Sequence, residues 1–412
     1  MWLQYQSLYS PMGANEGTVA MFECTKRPYR LWFHQLGIVT GINPATLPVE
    51  NFQPLSRRVG VMKLSMMINY AGGFKQAVDQ VVELEKVGLD QVWIAEAYSF
   101  DAVSQVGYLA AKTERVEIGT GILNVYSRTA ALMAMTAAGC DYVSDGRFIL
   151  GLGASGAQVV EGFHGMPYDK PMVRIKEYIE ACRMIWKREE AFNYQGQVVQ
   201  APLPAGQGTG LGKALKIINH PLRSDIPIWW ASLKDRAVEA TAEMADGWLP
   251  IMFIPDKFQQ VWGNALKAGT AKRDPSRKPL DIAAGGMLAI DDSLVGEART
   301  KILDYGRPGM ALYVGGMGAR GKNFYNDICS AYGYEKEAAD VQDLYLDGKK
   351  AEAAAALPGE WLELANLVGP RSYIKERVGA FKEAGVTVLS VNPVGPNAVK
   401  NIETLREIVD NA

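Results

Sequence analysis

The chain has 412 residues, a formal net charge of −2 at pH 7, and 48% hydrophobic against 21% charged residues. Such a composition excludes a disordered or collagen-like chain and nucleic-acid binding through bulk charge. Cys24, Cys140, Cys182 and Cys329 form no CxxC or metal-ligand spacing, and no apolar run approaches the roughly 18 residues of a membrane span. The expectation is a cytoplasmic protein with reduced thiols, no metal site, no secretory signal and no membrane or nucleic-acid partner.

Residues 1–61 are rich in aromatics and turn formers and hold no sustained period of 2 or 3.6. They read as an N-terminal extension, and translation starting at Met62 would account for them; a functional arm is the alternative. From Met62 the pattern becomes regular. MKLSMMIN opens a strand, and FKQAVDQVVELEKVG follows as a helix with Phe74, Ala77, Val78, Val81 and Val82 on one stripe, stopped at Gly88. Further strands are read at QVWIAE, RVEIGTGIL, RFILGLGAS, IPIWWAS, DGWLPIM, DIAAGGMLAI and VTVLSVNP, each followed by a helical pattern. The strands are nearly continuously apolar, as expected where helices cover one face and a core the other. Eight β-then-α units predict an α/β fold of one domain, a (β/α)8 TIM barrel over residues 62–412.

Two stretches interrupt this rhythm. Residues 187–226, Gly- and Pro-rich with short β-prone pieces, read as an excursion after the fourth helix that crosses the barrel mouth. Residues 310–370 are too long for an unstructured loop and read as a helical insertion before strand eight.

In such barrels the site lies at the C-terminal ends of the strands. This rule selects Asn69 and Tyr70, Glu96 and Tyr98, Gly121 to Asn124, Gly153 to Gly156, Ala231 to Leu233, and Asn392. LGLGASG leaves backbone amides around Gly153, Ala154, Ser155 and Gly156 free to face an anion, and a helix starting near Ser232, Leu233 and Lys234 presents its positive end to a phosphate. Either is also an ordinary βα turn when taken alone.

Taken in order, GTGILNVYSRTAALMAMTAAGCDYVSDGRFILGLGASGAQVVEGFHG, KPMVRIKEYI, HPLRSDIPIWWAS and ADGWLP resemble the bacterial luciferase-like superfamily, most closely its branch of coenzyme F420-dependent oxidoreductases. The resemblance covers residues 62–412. It implies a deazaflavin cofactor, with FMN as the alternative; a small-molecule substrate; and a homodimer or higher homo-oligomer. It also implies a bulge in strand three with a cis Gly121–Ile122 bond behind the cofactor ring, with Asn69, Glu96, Asn124, Gly153, Ala154, Ser155, Gly156, Ser232 and Leu233 around the cofactor. The function it implies is hydride transfer between coenzyme F420 and a small organic substrate. The alternatives are an FMN-dependent monooxygenase using oxygen, and a non-catalytic cofactor carrier.

Related dehydrogenases carry an acid and a histidine after strand two, whereas Ala95-Glu96-Ala97-Tyr98 keeps only the acid. Glu96 is therefore the candidate acid or base, with Tyr98 or His164 as helpers. The plainer reading makes Glu96 the partner of an arginine or a cap for the DAVSQV helix, and His164 a surface loop residue. Lys213, Lys216, Arg223, Arg128 and Arg174 are candidates to meet the anionic cofactor tail, or else are ordinary surface and ion-pair charges. Trp229 and Trp230 read as including one core residue rather than as a pair of substrate stackers.

Overall fold

The structure is a computed structural model that describes residues 61–69 and 72–412. The extension read over residues 1–61 therefore lies, but for its last residue, outside the described residues, as does Tyr70. Eight parallel strands form the centre: β1 Lys63–Ile68, β2 Gln91–Ile94, β3 Glu117–Thr120, β4 Phe148–Gly153, β5 Ile228–Trp230, β6 Gly247–Trp248, β7 Asp281–Ala284 and β8 Val388–Ser390. Their spatial order is 3-2-1-8-7-6-5-4. The pairs Ile118–Phe148 and Gly119–Ile149 join β3 to β4 and close the ring. The predicted TIM barrel is present.

The barrel interior is built around two tryptophans. Trp93 on β2 and Trp229 on β5 lie with ring centroids 5.0 Å apart, among Ile149, Leu249, Ala283 and Val388. Glycines make the room. A Cβ on Gly119 would sit 2.2 Å from the Trp93 ring, and one on Gly247 would sit 2.1 Å from the Trp229 ring. The first glycine of GTGIL thus faces a tryptophan from the neighbouring strand. Trp230 points the other way, into the layer between strands and helices. Both tryptophans are core residues, and truncating either ring would cost about 3–5 kcal/mol.

DIAAGGMLAI is not one strand. It breaks at Gly285-Gly286, and the second piece, Met287–Ile290, leaves the barrel to pair with Leu367–Gly369 and Asn392–Pro393. A Cβ at Gly285, where φ is +155°, would lie 2.2 Å from the Ser390 carbonyl oxygen, so the strand turns where only glycine fits. The stretch before β8 is helical as predicted, with helices Phe324–Ala331, Glu335–Leu346, Lys350–Ala355 and Gly359–Ala365. It ends in the unforeseen strand Leu367–Gly369.

The excursion is displaced from its expected place at the mouth. It leaves the C-terminus of the helix Pro171–Lys187 and enters the N-terminus of β5, so both its ends lie at the barrel's N-terminal end. Its contacts agree. Arg223 pairs with the buried Asp141 and donates to the carbonyl of Phe148, the first residue of β4. Lys216 Nζ donates to the Glu189 carbonyl at 2.6 Å. The short hairpin Tyr194–Gln195 with Gln200–Ala201 lies on the helix, where the Glu177 carboxylate accepts the amides of Gln197, Val198 and Val199 at 2.7–2.9 Å. Arg223 and Lys216 are engaged here, away from the strand C-termini.

Candidate active site

β3 ends at Thr120 and resumes at Leu123-Asn124, which pair with Leu152 and Gly153 of β4. Between them the Gly121–Ile122 bond is cis. A Cβ on Gly121 would meet Met67 Cε at 3.2 Å and Trp93 Cβ at 3.5 Å. The Ile122 side chain lies across Gly153, where a Cβ would come within 3.0 Å of Ile122 Cγ1 and Cδ1. The bulge and the Gly loop after β4 therefore form one surface. Asn124, buried at its edge, turns Oδ1 to the Tyr126 amide at 2.9 Å, while its Nδ2 has no protein partner. A buried donor left unpaired costs about 1–3 kcal/mol, so this amide marks a place for an acceptor.

Glu96, after β2, has both of the plainer contacts weighed for it. Arg128, after the bulge, grips its two oxygens at 2.7 and 2.8 Å, and the Ala102 amide, at the start of the helix Ala102–Ala110, donates to it at 3.1 Å. Donating these hydrogen bonds to the Glu96 carboxylate raises the Arg128 pKa above the ordinary arginine value. Tyr178 of the helix Pro171–Lys187 donates to the Arg128 carbonyl at 2.7 Å, which ties two loops to this helix. Arg174 is also committed: it lies 4.4 Å from the Tyr126 ring centre and 3.1 Å from Asp169.

The loop after β4 holds Ala154, Ser155 and Gly156 half-buried, with the Ser155 carbonyl accepting Tyr168 Oη at 3.2 Å. Tyr168 stacks on Tyr126 at 5.4 Å. After β5, Ser232 is buried with its hydroxyl 2.8 Å from Thr241 Oγ1, and the carbonyls of Ser232 and Leu233 accept the indoles of Trp248 and Trp262 at 2.9 and 2.7 Å. The side chain of Ser232 thus shapes the loop. The helix Asp235–Met244 starts after Lys234 without a side-chain cap, which leaves its first amides open to an anion.

Tyr98 and Phe163 are exposed, with ring centroids 6.1 Å apart, and His164 lies edge-on to Phe163 at 5.4 Å. His164 Nε2 is buried without a partner. Asn69 and Asn392 are exposed at the ends of β1 and β8. Three non-glycine residues in left-handed backbone, Ala97 (φ 46°), Ser155 (φ 58°) and Met252 (φ 63°), follow β2, β4 and β6. Such conformations persist where surrounding structure enforces them, often at functional sites. Sequence reasoning missed the role of Arg128 as partner of Glu96, the Tyr126–Tyr168 stack, and Phe163. For Phe163 the signal was present: a large ring beside His164 in a loop at the mouth.

The sequence profile of the luciferase-like monooxygenase family matches residues 60–388. The chain belongs to that family. Rv3520c of Mycobacterium tuberculosis, whose name assigns it provisionally to the coenzyme F420-dependent oxidoreductases, is 36% identical over 348 residues, 84% of this chain and 99% of that protein. A 5,10-methylenetetrahydromethanopterin reductase of Archaeoglobus fulgidus is 26% identical over 79% of this chain and 92% of its own length. The solved coenzyme F420-dependent tetrahydromethanopterin reductase of Methanopyrus kandleri superposes with a TM-score of 0.68 at 20% identity, over 85% of this chain and 99% of that one. Within the luciferase-like family, the chain falls in the branch of the F420-dependent oxidoreductases. Among the described residues no helix is long and apolar enough to cross a membrane.

Proposed function

We propose that the protein transfers a hydride between coenzyme F420 and a small organic substrate at the C-terminal mouth of the barrel. The observation that carries this reading is the wall made by Ile122 on Gly153, with the unpaired Asn124 Nδ2 at its edge: an apolar surface for a flat ring, and one donor for a ring acceptor. The residues present fit the cofactor, and the names of the relatives agree. When bound, the deazaflavin supplies a two-electron hydride carrier.

The chain's own groups do the rest. The backbone of Gly153–Gly156 and the open amides at the start of the helix Asp235–Met244 receive the phosphate. Glu96, neutralised by Arg128, acts by positioning: it fixes Arg128 and the helix Ala102–Ala110 at the mouth. His164, with a free Nε2, exchanges the proton that accompanies hydride transfer, and Tyr98 stands at the rim beside it. A homodimer belongs to the same proposal. The helix Ala130–Val143 presents Leu132, Met135, Tyr142 and Val143 outward, and its one charged residue, Asp141, is buried against Arg223. A helix apolar on all faces is ordinarily covered. Cys140, Cys182 and Cys329, buried and free, suit a reducing cytoplasm.

The test sets the deazaflavin against flavin-and-oxygen chemistry. Reduced F420 is supplied anaerobically with a panel of aldehydes, ketones and imines and followed by its absorbance, while oxygen uptake is followed separately with reduced FMN. Substrate-dependent F420 oxidation is expected, with no oxygen uptake beyond that of free reduced FMN. Enzyme-dependent oxygen uptake with reduced FMN would favour the monooxygenase instead.

A further inference from the structure

Three large aromatic rings stand in water at the mouth. Tyr98 and Phe100, after β2, are 65% and 82% exposed, and Phe163, after β4, is 66% exposed. Among the described residues Phe100 is the most exposed aromatic side chain. Isolated exposed apolar groups are common, but rings gathered from two loops beside a site mark a contact surface. The loops after β2 and β4 flank β3, so the Tyr98–Phe163 pair bridges the end of the strand that carries the bulge. The two rings are tilted by 51° at 6.1 Å, and both residues remain about two-thirds exposed.

The backbone presents this platform actively. Ala97 adopts a left-handed conformation at φ 46°, which costs an L-residue about 1–2 kcal/mol. It separates two neighbours of opposite fate: Glu96 turns inward to Arg128, and Tyr98 turns out to the rim. The hydroxyl of Ser99 donates back to the Glu96 carbonyl at 2.7 Å and closes the turn. Next to Phe163, His164 sits edge-on to the ring with Nε2 buried and unpaired.

We propose that Tyr98, Phe100 and Phe163 form the substrate platform, and that the substrate carries a planar apolar ring system with one polar atom for His164 Nε2. This rests on the reading of the mouth as the reaction site. Planar rings gain face and edge contacts from tilted aromatic pairs that puckered saturated rings of the same size do not. The occupant is a small molecule rather than a second copy of the chain, because the Tyr98–Phe163 pair spans the end of β3, the strand that carries the bulge, and Phe163 follows the Gly loop in the same β4 connection.

The experiment uses the full-length protein and 2-naphthol as probe, with decahydro-2-naphthol as the saturated control, followed by titration calorimetry. One saturable site for 2-naphthol is expected, with at least tenfold weaker binding of decahydro-2-naphthol. The Tyr98→Ser/Phe163→Ser variant should bind 2-naphthol at least tenfold more weakly. These side chains are exposed, so the variant should keep its melting temperature, and Phe100→Ser gives a second, smaller loss. His164→Phe keeps a ring and removes the nitrogen, and should abolish the preference for 2-naphthol over naphthalene. Equal binding of the saturated control, or unchanged affinity in the double variant, overturns the proposal. If F420 fails to bind while the 2-naphthol results hold, the cofactor assignment falls and the platform stands.

Discussion

The two ends of the barrel use their buried carboxylates differently. At the N-terminal end, Glu85 accepts the amides of Glu114, Arg115 and Val116 at 2.5–3.2 Å, which fixes the turn into β3. Arg147 answers it from the other side, donating to Thr113 Oγ1 and the carbonyls of Ala110, Thr113 and Val116 at 3.0–3.1 Å. Backbone and side chains there close on each other. At the mouth, Glu96 meets one amide and one arginine, and Asn124 Nδ2 and His164 Nε2 lack protein partners. The Glu85 cluster uses its hydrogen bonds to hold the turn into β3, whereas the mouth keeps an amide and an imidazole nitrogen for a ligand.

The largest expected effect lies at the closed end. Glu85→Ala strips the acceptor from three amides and should cost about 3–4 kcal/mol in denaturant unfolding, while the folded protein keeps its cofactor affinity. A parallel fall in affinity would mean that the two ends are not separable. Next is Arg128→Met, which leaves the Glu96 carboxylate largely buried without its partner. It should cost about 2–3 kcal/mol and weaken cofactor binding at least tenfold. Adding Glu96→Gln should restore most of the stability and little of the affinity, because the arginine's place in the loop is still empty. Recovery of both would make the pair purely structural.

Gly153→Val sharpens the comparison from the ligand side. Its side chain must displace Ile122, so cofactor affinity should fall about tenfold for a stability cost of about 1–2 kcal/mol. Unchanged affinity in the folded variant would reduce the Gly loop to a turn. The smallest effect concerns a mouth carboxylate that is structural. The Arg377 guanidinium hydrogen-bonded to Asp256 holds its carboxyl below the usual 3.8. The folded carboxyl stays ionised where the unfolded one takes up a proton. Its contribution is therefore complete above that value and lost as pH falls through the folded pKa. Arg377→Met should flatten the loss of stability below about pH 4, read from unfolding curves between about pH 5 and 3.

Much of the fold was legible because it rests on local pattern. Near-continuous apolar runs of strand length, each followed by a helical pattern, with glycine stops at Gly88 and Gly385, make eight βα units, and that number closes a barrel. The break at Gly285-Gly286 was hidden because the apolar run continues through it, and only the Ser390 carbonyl across the sheet forbids a Cβ there. The excursion was misplaced because its Gly/Pro content and short β-prone pieces carry no signal of which end they cross, whereas chain direction from a helix C-terminus to a strand N-terminus decides which end it occupies. At the site, the Gly121–Ile122 bond came from family resemblance, and the structure has it cis. The Glu96–Arg128 pair spans 32 positions, and nothing in either local sequence links the two. The same holds for Gly119, whose neighbour Trp93 belongs to the adjacent strand.

The most direct measurement of the central claim is a side-by-side fluorescence titration of the full-length protein with F420 and FMN, repeated with Ile122→Asp. If the open valences at the mouth receive a deazaflavin against Ile122, F420 binds more tightly than FMN, and Ile122→Asp loses at least tenfold in F420 affinity while its unfolding midpoint stays near that of the wild type. Equal or tighter binding of FMN, or F420 affinity unchanged by a charge at position 122, contradicts it.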